Sequence, residues 1–113
     1  MKIREFEKKS GLPRDTIRYY EDIGLLAAPR RSANGYRIYT HDHLKALQFI
    51  TQGKAIGFSL KEIQQGLQRY RELGHLCPEF KNALEEKKRA FEQRIRQDKA
   101  AIVQIQKMLK AQS

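Results

Sequence analysis

Apolar residues spaced three or four positions apart predict two short helices at the start of the chain, over residues 3–10 and 13–23. In the second helix, Ile17 and Tyr20 share the face that is expected to pack on the first. Gly11 lies between the helices and suits the left-handed backbone conformation that ends many helices. Two short helices joined by a tight turn containing glycine are typical of a helix-turn-helix, although many helical hairpins share the pattern.

A β-hairpin is predicted after the second helix. Asn34-Gly35 is the strongest short-range hairpin signal, and residues 36–39 alternate in type and favour a strand. Three arginines lie near the predicted tip and strands: Arg30, Arg31 and Arg37. The pattern therefore adds a basic wing to the helix pair.

Two further helices are predicted, over about residues 41–56 and 60–73. The second begins at a capping box, in which Ser59 and Glu62 pair reciprocally with backbone N–H groups. Helical spacing predicts the residues that they bury: Leu44, Leu47, Ile50 and Ile56 in one, Ile63, Leu67 and Tyr70 in the other. We therefore expect a mainly helical domain over residues 1–74, followed by a linker and a last helix over residues 75–113.

The last helix is predicted to be unusually long. Residues 79–113 contain neither glycine nor proline, and a helix of roughly 33 residues would extend about 50 Å. Its apolar residues follow a near-heptad spacing: Phe80, Leu84, Phe91, Ile95, Ile102, Ile105 and Leu109. Such a stripe predicts a homodimer through a coiled coil, parallel or antiparallel. If the helix instead folded back on its own domain, its far half would stay uncovered.

Charge narrows the class of partner. The 113 residues carry a formal net charge of +10, and half of this surplus lies within residues 1–60. A surplus of this size favours a polyanion, either nucleic acid or an anionic membrane face. The C-terminal third mixes both signs, which is typical of a solvated helix face.

Several classes of protein are excluded by what the sequence contains. No apolar run approaches the length of a membrane span, and the charged first residues do not form a signal peptide. One cysteine cannot form a disulfide within the chain, so we expect a reduced, cytoplasmic protein. The sequence contains neither a glycine-rich phosphate loop nor a paired-histidine metal motif, so we do not expect an enzyme.

The motifs of the first 70 residues resemble the mercury-resistance-regulator (MerR) family of bacterial transcription regulators. The resemblance rests on Thr16–Glu21 (TIRYYE), Gly24–Leu26, Arg31-Ser32, Asn34–Arg37, Tyr39, and Gly57–Leu60 followed by Glu62-Ile63. It implies a winged helix-turn-helix dimer joined by an antiparallel coiled coil. Family members bind a pseudo-palindrome in double-stranded promoter DNA, bend and untwist it for RNA polymerase, and act as repressor and activator on one operator.

The resemblance also implies which residues bind DNA. On the recognition helix these are Arg18 and Tyr19, with Thr16 beside them and Arg14 at the variable start of the helix. In the wing, Tyr36 and Arg37 are expected to reach backbone phosphates, supported by Arg31 and Tyr39.

The effector is less well defined. Cys77 precedes Pro78 at the start of the long helix, where a thiolate is favoured, and metal-sensing relatives have a metal-binding cysteine there. With only His75 nearby and no second cysteine, Cys77 could bind a metal ion, undergo thiol oxidation or simply pack at the helix cap. No cofactor is certain.

Two other functions remain open from sequence. An architectural or excisionase-like DNA-binding protein would use the same winged motif without responding to an effector. A coiled-coil adaptor would use its basic charge only for solubility, although the paired recognition-helix and wing residues argue against this.

Overall fold

Two short helices open the chain, as predicted. The structure, a computed structural model, describes residues 1–112. Helix α1 spans Ile3–Ser10 and helix α2 spans Arg14–Asp22. Gly11 ends α1 with a φ of 73°, a left-handed conformation that costs little without a Cβ atom. Pro13 is the N-cap of α2, one position before its first helical residue.

The predicted wing is present with short strands. Strand β1 (Arg30–Arg31) pairs antiparallel with strand β2 (Arg37–Ile38). Between them, the Gly35 N–H donates to the Ser32 carbonyl at 2.9 Å, and Gly35 has a φ of 81°. The pairing ends before Tyr39, whose N–H instead donates to the carbonyl of Met1 at 2.7 Å. The wing is therefore tied to the start of the chain as well as closed by its own turn.

Helix α3 (His41–Ala55) and helix α4 (Leu60–Leu73) each begin at a capping box. In the predicted box of α4, the Glu62 N–H donates to Ser59 Oγ at 3.1 Å, and the Ser59 N–H donates to Glu62 Oε1 at 2.9 Å. In α3, Thr40 pairs in the same way with His43, whose ring stands edge-on to buried aromatic rings. His43 is half-buried because of this packing.

The core of this part of the chain departs from the predicted helix faces at two positions. Ile56 is half-buried beyond the end of α3, and Phe58 takes the buried place, with its N–H donating to the carbonyl of Gly53. Tyr70 is 42% exposed, because it lines an open groove of about 590 Å³ between α3 and α4. The largest fully buried side chains are Phe6, Ile17, Leu25, Leu26, Tyr39, Leu47, Ile50 and Ile63.

The chain divides into two compact units, Met1–His75 and Leu76–Ser113. The second contains helix α5, which spans Pro78–Ala111 and is 34 residues long. Cys77 is its N-cap and Pro78 its first residue, where the missing N–H of proline costs no hydrogen bond. Among residues 1–112, no helix combines the length and apolarity that a bilayer crossing requires.

Candidate DNA-binding surface

Helix α2 separates the predicted DNA-binding residues from its core residues. Ile17 and Tyr20 are buried, whereas Arg18 and Tyr19 between them are exposed, Tyr19 by 51%. Adjacent residues of a helix point about 100° apart, so one short helix serves both purposes. Thr16 is half-buried beside them. The exposed face of α2 therefore presents a guanidinium and a phenol on a firmly anchored backbone.

Arg14, at the start of α2, is already engaged within the chain. Its Nε and Nη2 atoms both lie 3.1 Å from Oε1 of Glu7 on α1, and the two side chains are partly exposed. This ion pair links the two helices of the helix-turn-helix. In this arrangement the Arg14 guanidinium points toward Glu7.

Two predicted residues lie on the exposed part of the wing. Arg31 donates from Nη1 to the carbonyl of Gly35 at 3.0 Å, which braces the turn. Tyr36 is exposed, and the ammonium of Lys2 lies 4.9 Å from the centre of its ring. A cation over the ring face is favourable, and here it adds positive charge to the wing.

Arg37 joins the wing to α2 through Glu21. The Arg37 Nη1 atom donates to Oε2 of Glu21 at 2.7 Å, and the Tyr39 hydroxyl donates to Oε1 of the same carboxylate at 2.7 Å. The Glu21 side chain is only 9% exposed. The pKa of Arg37 is raised, mainly by hydrogen bonding with Tyr39 and also by the Glu21 charge, although burial opposes this. Glu21 therefore accepts hydrogen bonds from both Arg37 and Tyr39.

Tyr39 is the predicted DNA-binding residue that the structure does not place on the surface. It is 1% exposed, and its ring stacks on Phe6 with centroids 4.2 Å apart and planes 10° from parallel. Burial raises its pKa, and the hydrogen bond to Glu21 raises it further. Tyr39 therefore does not face DNA, and the supporting role predicted for it stays a prediction; from the core it can act through Glu21 and Arg37.

Comparison with known protein families matches nearly the whole chain. A model described as "MerR HTH family regulatory protein" matches residues 1–70, and one described as "MerR, DNA binding" matches residues 44–108. The chain belongs to the MerR family. This confirms the predicted family, and it makes the chain a DNA-binding transcription regulator rather than an enzyme.

Individual MerR relatives agree with this assignment. The HTH-type transcriptional regulator HmrR of Rhizobium leguminosarum bv. viciae is 37% identical over 97 residues, which cover 86% of this chain and 74% of HmrR. The chain spans about half the length of other curated relatives that it matches.

Solved structures of MerR regulators share the fold. PbrR691 from Ralstonia metallidurans CH34, solved in complex with lead(II), is 33% identical with a TM-score of 0.63, covering 96% of this chain and 81% of that one. HiNmlR, a MerR regulator lacking the sensor domain and solved bound to promoter DNA, is 25% identical with a TM-score of 0.58, covering 97% and 78%. The predicted mainly helical fold, a winged helix-turn-helix followed by a long helix, is confirmed.

Three residues of this MerR surface were missed by sequence reasoning: Lys2, Glu7 and Glu21. Each acts on a predicted residue of a different element, so no spacing within one helix or strand shows the pair. Glu21 did carry a signal, because it is an acidic residue at the end of the TIRYYE run in a basic half of the chain. A carboxylate among cations that are predicted to bind phosphate indicates an ion pair within the chain.

The predicted effector residues do not form a complete metal centre. Cys77 is buried and His75 is exposed. Within residues 1–112, no three His, Cys, Asp or Glu side chains are grouped so as to hold a metal ion. A tetrahedral zinc site needs four ligands, so the donors in one chain do not fit such a centre.

The predicted dimer residues of α5 fall into two groups. Phe80 is buried and Leu84 is half-buried, whereas the remaining five are exposed: Phe91, Ile95, Ile102, Ile105 and Leu109. Val103 and Met108 are also exposed and lie off this stripe. The second half of α5 therefore carries an uncovered apolar face in the single chain.

Proposed function

We propose that this chain acts as a homodimer that binds a pseudo-palindromic promoter operator in double-stranded DNA. Residues 1–74 form the DNA-binding domain, and residues 75–113 form the linker and a dimerisation helix that pairs antiparallel with a second copy. The dimer represses or activates transcription by distorting the operator in response to an effector. This distortion brings the promoter into register for RNA polymerase. Its place of action is the cytoplasm, with the chromosome.

The division of α2 between core and surface is the observation that carries this proposal. Ile17 and Tyr20 anchor the helix, and Arg18 and Tyr19 are presented outward. In helix-turn-helix proteins the second helix enters the major groove, where a guanidinium fork can bind a guanine edge or a phosphate. Arg37 of the wing is tied to the same helix through Glu21, so wing and helix can bind one duplex.

The apolar stripe of α5 supports the dimer. Large hydrophobic side chains rarely stay exposed along a helix without a partner, and the most economical partner is a second copy. Two recognition helices at a fixed separation then match two half-sites of an operator. HiNmlR, which shares the fold, was solved bound to promoter DNA, and this supports DNA binding by the present chain.

Replacing Arg18 with Ala tests the DNA-binding surface. We expect specific binding to weaken by about 1–3 kcal/mol, because one base or phosphate anchor is lost from the major groove. The measurement is a titration of the duplex that the wild-type protein selects from a randomised pool. Arg69→Ala is the control, because it removes the same charge from an exposed, ion-paired position on α4.

The outcome separates specific recognition from general attraction to a polyanion. Equal affinities for the Arg18 and Arg69 variants would remove Arg18 from the site. A change of promoter output by the wild-type protein in a purified transcription reaction distinguishes a regulator from an architectural protein, which would bind without changing it.

A further inference from the structure

Glu21 occupies an unusual place for an acidic residue. It belongs to α2, three positions after Arg18, and its side chain is almost completely buried. Both carboxylate oxygens are used by residues outside α2: Oε2 accepts from Arg37 and Oε1 accepts from Tyr39, each at 2.7 Å. Both bonds are short and charge-assisted. The bond from Arg37 links α2 directly to strand β2, and the bond from Tyr39 links α2 to the residue that follows this strand.

The carboxylate is itself held in place. Tyr39, which binds one oxygen, is fixed by stacking on Phe6 of α1, with ring centroids 4.2 Å apart. Glu21 therefore cannot turn away from Arg37 without breaking a hydrogen bond to a core residue. Glu21 of α2 therefore contacts Arg37 of β2 directly and is connected to α1 only through Tyr39.

We infer that Glu21 is a positioning residue for DNA binding: it holds the Arg37 guanidinium beside α2, so that wing and recognition helix address the same duplex. The inference rests on the proposed function. Arg37 keeps part of its side chain exposed, 28%, so a guanidinium fixed on one side by Glu21 can still donate to a phosphate. An arginine that is already oriented loses less conformational freedom on binding.

Charge alone predicts the opposite role for Glu21. A carboxylate close to DNA-binding cations repels phosphates and lowers the net positive charge, so removing it should strengthen binding. Positioning predicts that removing it weakens binding, because Arg37 loses its fixed orientation. The sign of the change therefore decides between the two roles.

The test compares Glu21→Gln with Glu72→Gln. Both variants raise the net charge by one and keep the side-chain shape, but Glu72 lies on α4 in an exposed ion pair with Arg69. Affinity is measured on the duplex selected by the wild-type protein, between about 50 and 200 mM salt. We expect Glu72→Gln to bind like the wild type or slightly tighter. Glu21→Gln should bind about tenfold more weakly, with a salt slope smaller by about one, as expected for one lost phosphate contact.

A second comparison shows that the effect passes through Arg37. Arg37→Ala should also weaken binding, and adding Glu21→Gln to it should cause no further loss. A further loss in the double variant, or affinity of Glu21→Gln equal to or above that of Glu72→Gln, would overturn the inference. Circular dichroism at the binding temperature establishes that each variant is folded, and a folded Glu21→Gln with weakened binding supports positioning over a purely structural role.

Arg18→Ala keeps this result separate from the proposed function. If Arg18→Ala weakens binding while Glu21→Gln follows Glu72→Gln, the DNA-binding surface stands and Glu21 has no positioning role. If Arg18→Ala changes nothing, the surface itself is misassigned, whatever Glu21 does.

Discussion

At the scale of single residues, one hydroxyl connects the core to the predicted DNA-binding surface. Tyr39 is buried against Phe6 and donates to Glu21, which in turn holds Arg37. Removing a hydrogen-bond donor from a carboxylate whose side chain is only 9% exposed leaves an acceptor oxygen with little access to water. The stability of the fold and the geometry of the wing are therefore coupled at this residue.

Replacing Tyr39 with Phe should destabilise the protein by about 1–3 kcal/mol near neutral pH, because the ring stays and only the buried hydrogen bond is lost. Urea unfolding of wild type and variant at equal protein concentration measures the difference. Tyr36→Phe is the matched control, since that ring is exposed and its hydroxyl is not buried. Equal losses in both variants would show that the Tyr39 hydroxyl contributes nothing specific.

The difference in the free energy of unfolding between wild type and Tyr39→Phe should depend on pH. Folding raises the pKa of Tyr39 above its ordinary value of 10.0, so the folded state keeps the hydroxyl proton to higher pH than the unfolded state does. The stability that this proton contributes is complete below pH 10 and is lost as the pH rises through the folded-state pKa. The gap between wild type and Tyr39→Phe should therefore narrow above pH 10, and a constant gap would contradict this.

Sequence reasoning found which residues of this site are basic or aromatic, but not how they are paired. Arg18 and Tyr19 could be separated from Ile17 and Tyr20 because a helix alternates faces with a fixed period. The link from Glu21 to the wing could not be found in this way. It depends on how β2 lies beside α2, and that is set by tertiary packing rather than by a local pattern.

At the scale of elements, the helix ends were predictable and the buried faces less so. A cap such as Ser59 with Glu62 is complete within four residues, so the sequence alone specifies it. Tyr70 follows Ile63 and Leu67 at helical spacing, yet it is exposed, because it lies at an open groove between α3 and α4, where its ring centre is 6.3 Å from that of Phe49. Periodicity shows that residues share a face but not how closely the neighbouring helix packs against each of them.

Gly53 explains how closely α3 and α4 pack. A Cβ atom added there would lie 2.9 Å from Cγ1 and 3.1 Å from Cδ1 of Ile63, which is fully buried. A glycine inside a helix costs about 0.8–1.0 kcal/mol relative to alanine, so its presence here reflects the close approach of the other helix. Sequence reasoning used the glycines as helix ends and as part of the hairpin turn, and it missed this one.

Replacing Gly53 with Ala should lower the free energy of unfolding by up to about 2 kcal/mol. Overpacking of about 1–3 kcal/mol outweighs the gain in helix propensity of about 1 kcal/mol. In an Ile63→Ala background, where the clashing atoms are absent, the same substitution should stabilise by about 1 kcal/mol. Thermal or urea unfolding of the four proteins measures both effects, and the prediction fails if the sign does not reverse.

At the scale of the whole molecule, the exposed stripe of α5 decides the functional unit. Ile102 and Val103 are adjacent and similarly exposed, 54% and 49%, but only Ile102 lies on the stripe. Ile102→Glu should place a charge in the dimer seam and raise the dimer dissociation constant about a hundredfold, roughly 3 kcal/mol. Val103→Glu should leave a dimer of twice 13.3 kDa.

Light scattering at micromolar concentration measures the oligomeric state of the wild type and both variants. Titration with operator DNA then measures their affinity for DNA. A monomeric wild type would contradict the dimer directly. Equal dissociation of the two variants would show that the seam is not the predicted stripe.

The family and fold were predictable at this scale because the motifs of residues 1–70 are dense, whereas the direction of the coiled coil came only from the resemblance.

The ion pair between Arg14 and Glu7 has a consequence for changing which DNA sequence the protein prefers. If Arg14 binds a base, it must first exchange a carboxylate for that base, and a partly exposed pair of this kind is worth about 0–1 kcal/mol. A well-formed guanine contact, worth about 1–3 kcal/mol, exceeds that cost, and a poor one does not. The free energy of the ion pair with Glu7 therefore reduces the gain from any base contact that Arg14 makes. A redesign of the operator preference at residue 14 has to include residue 7.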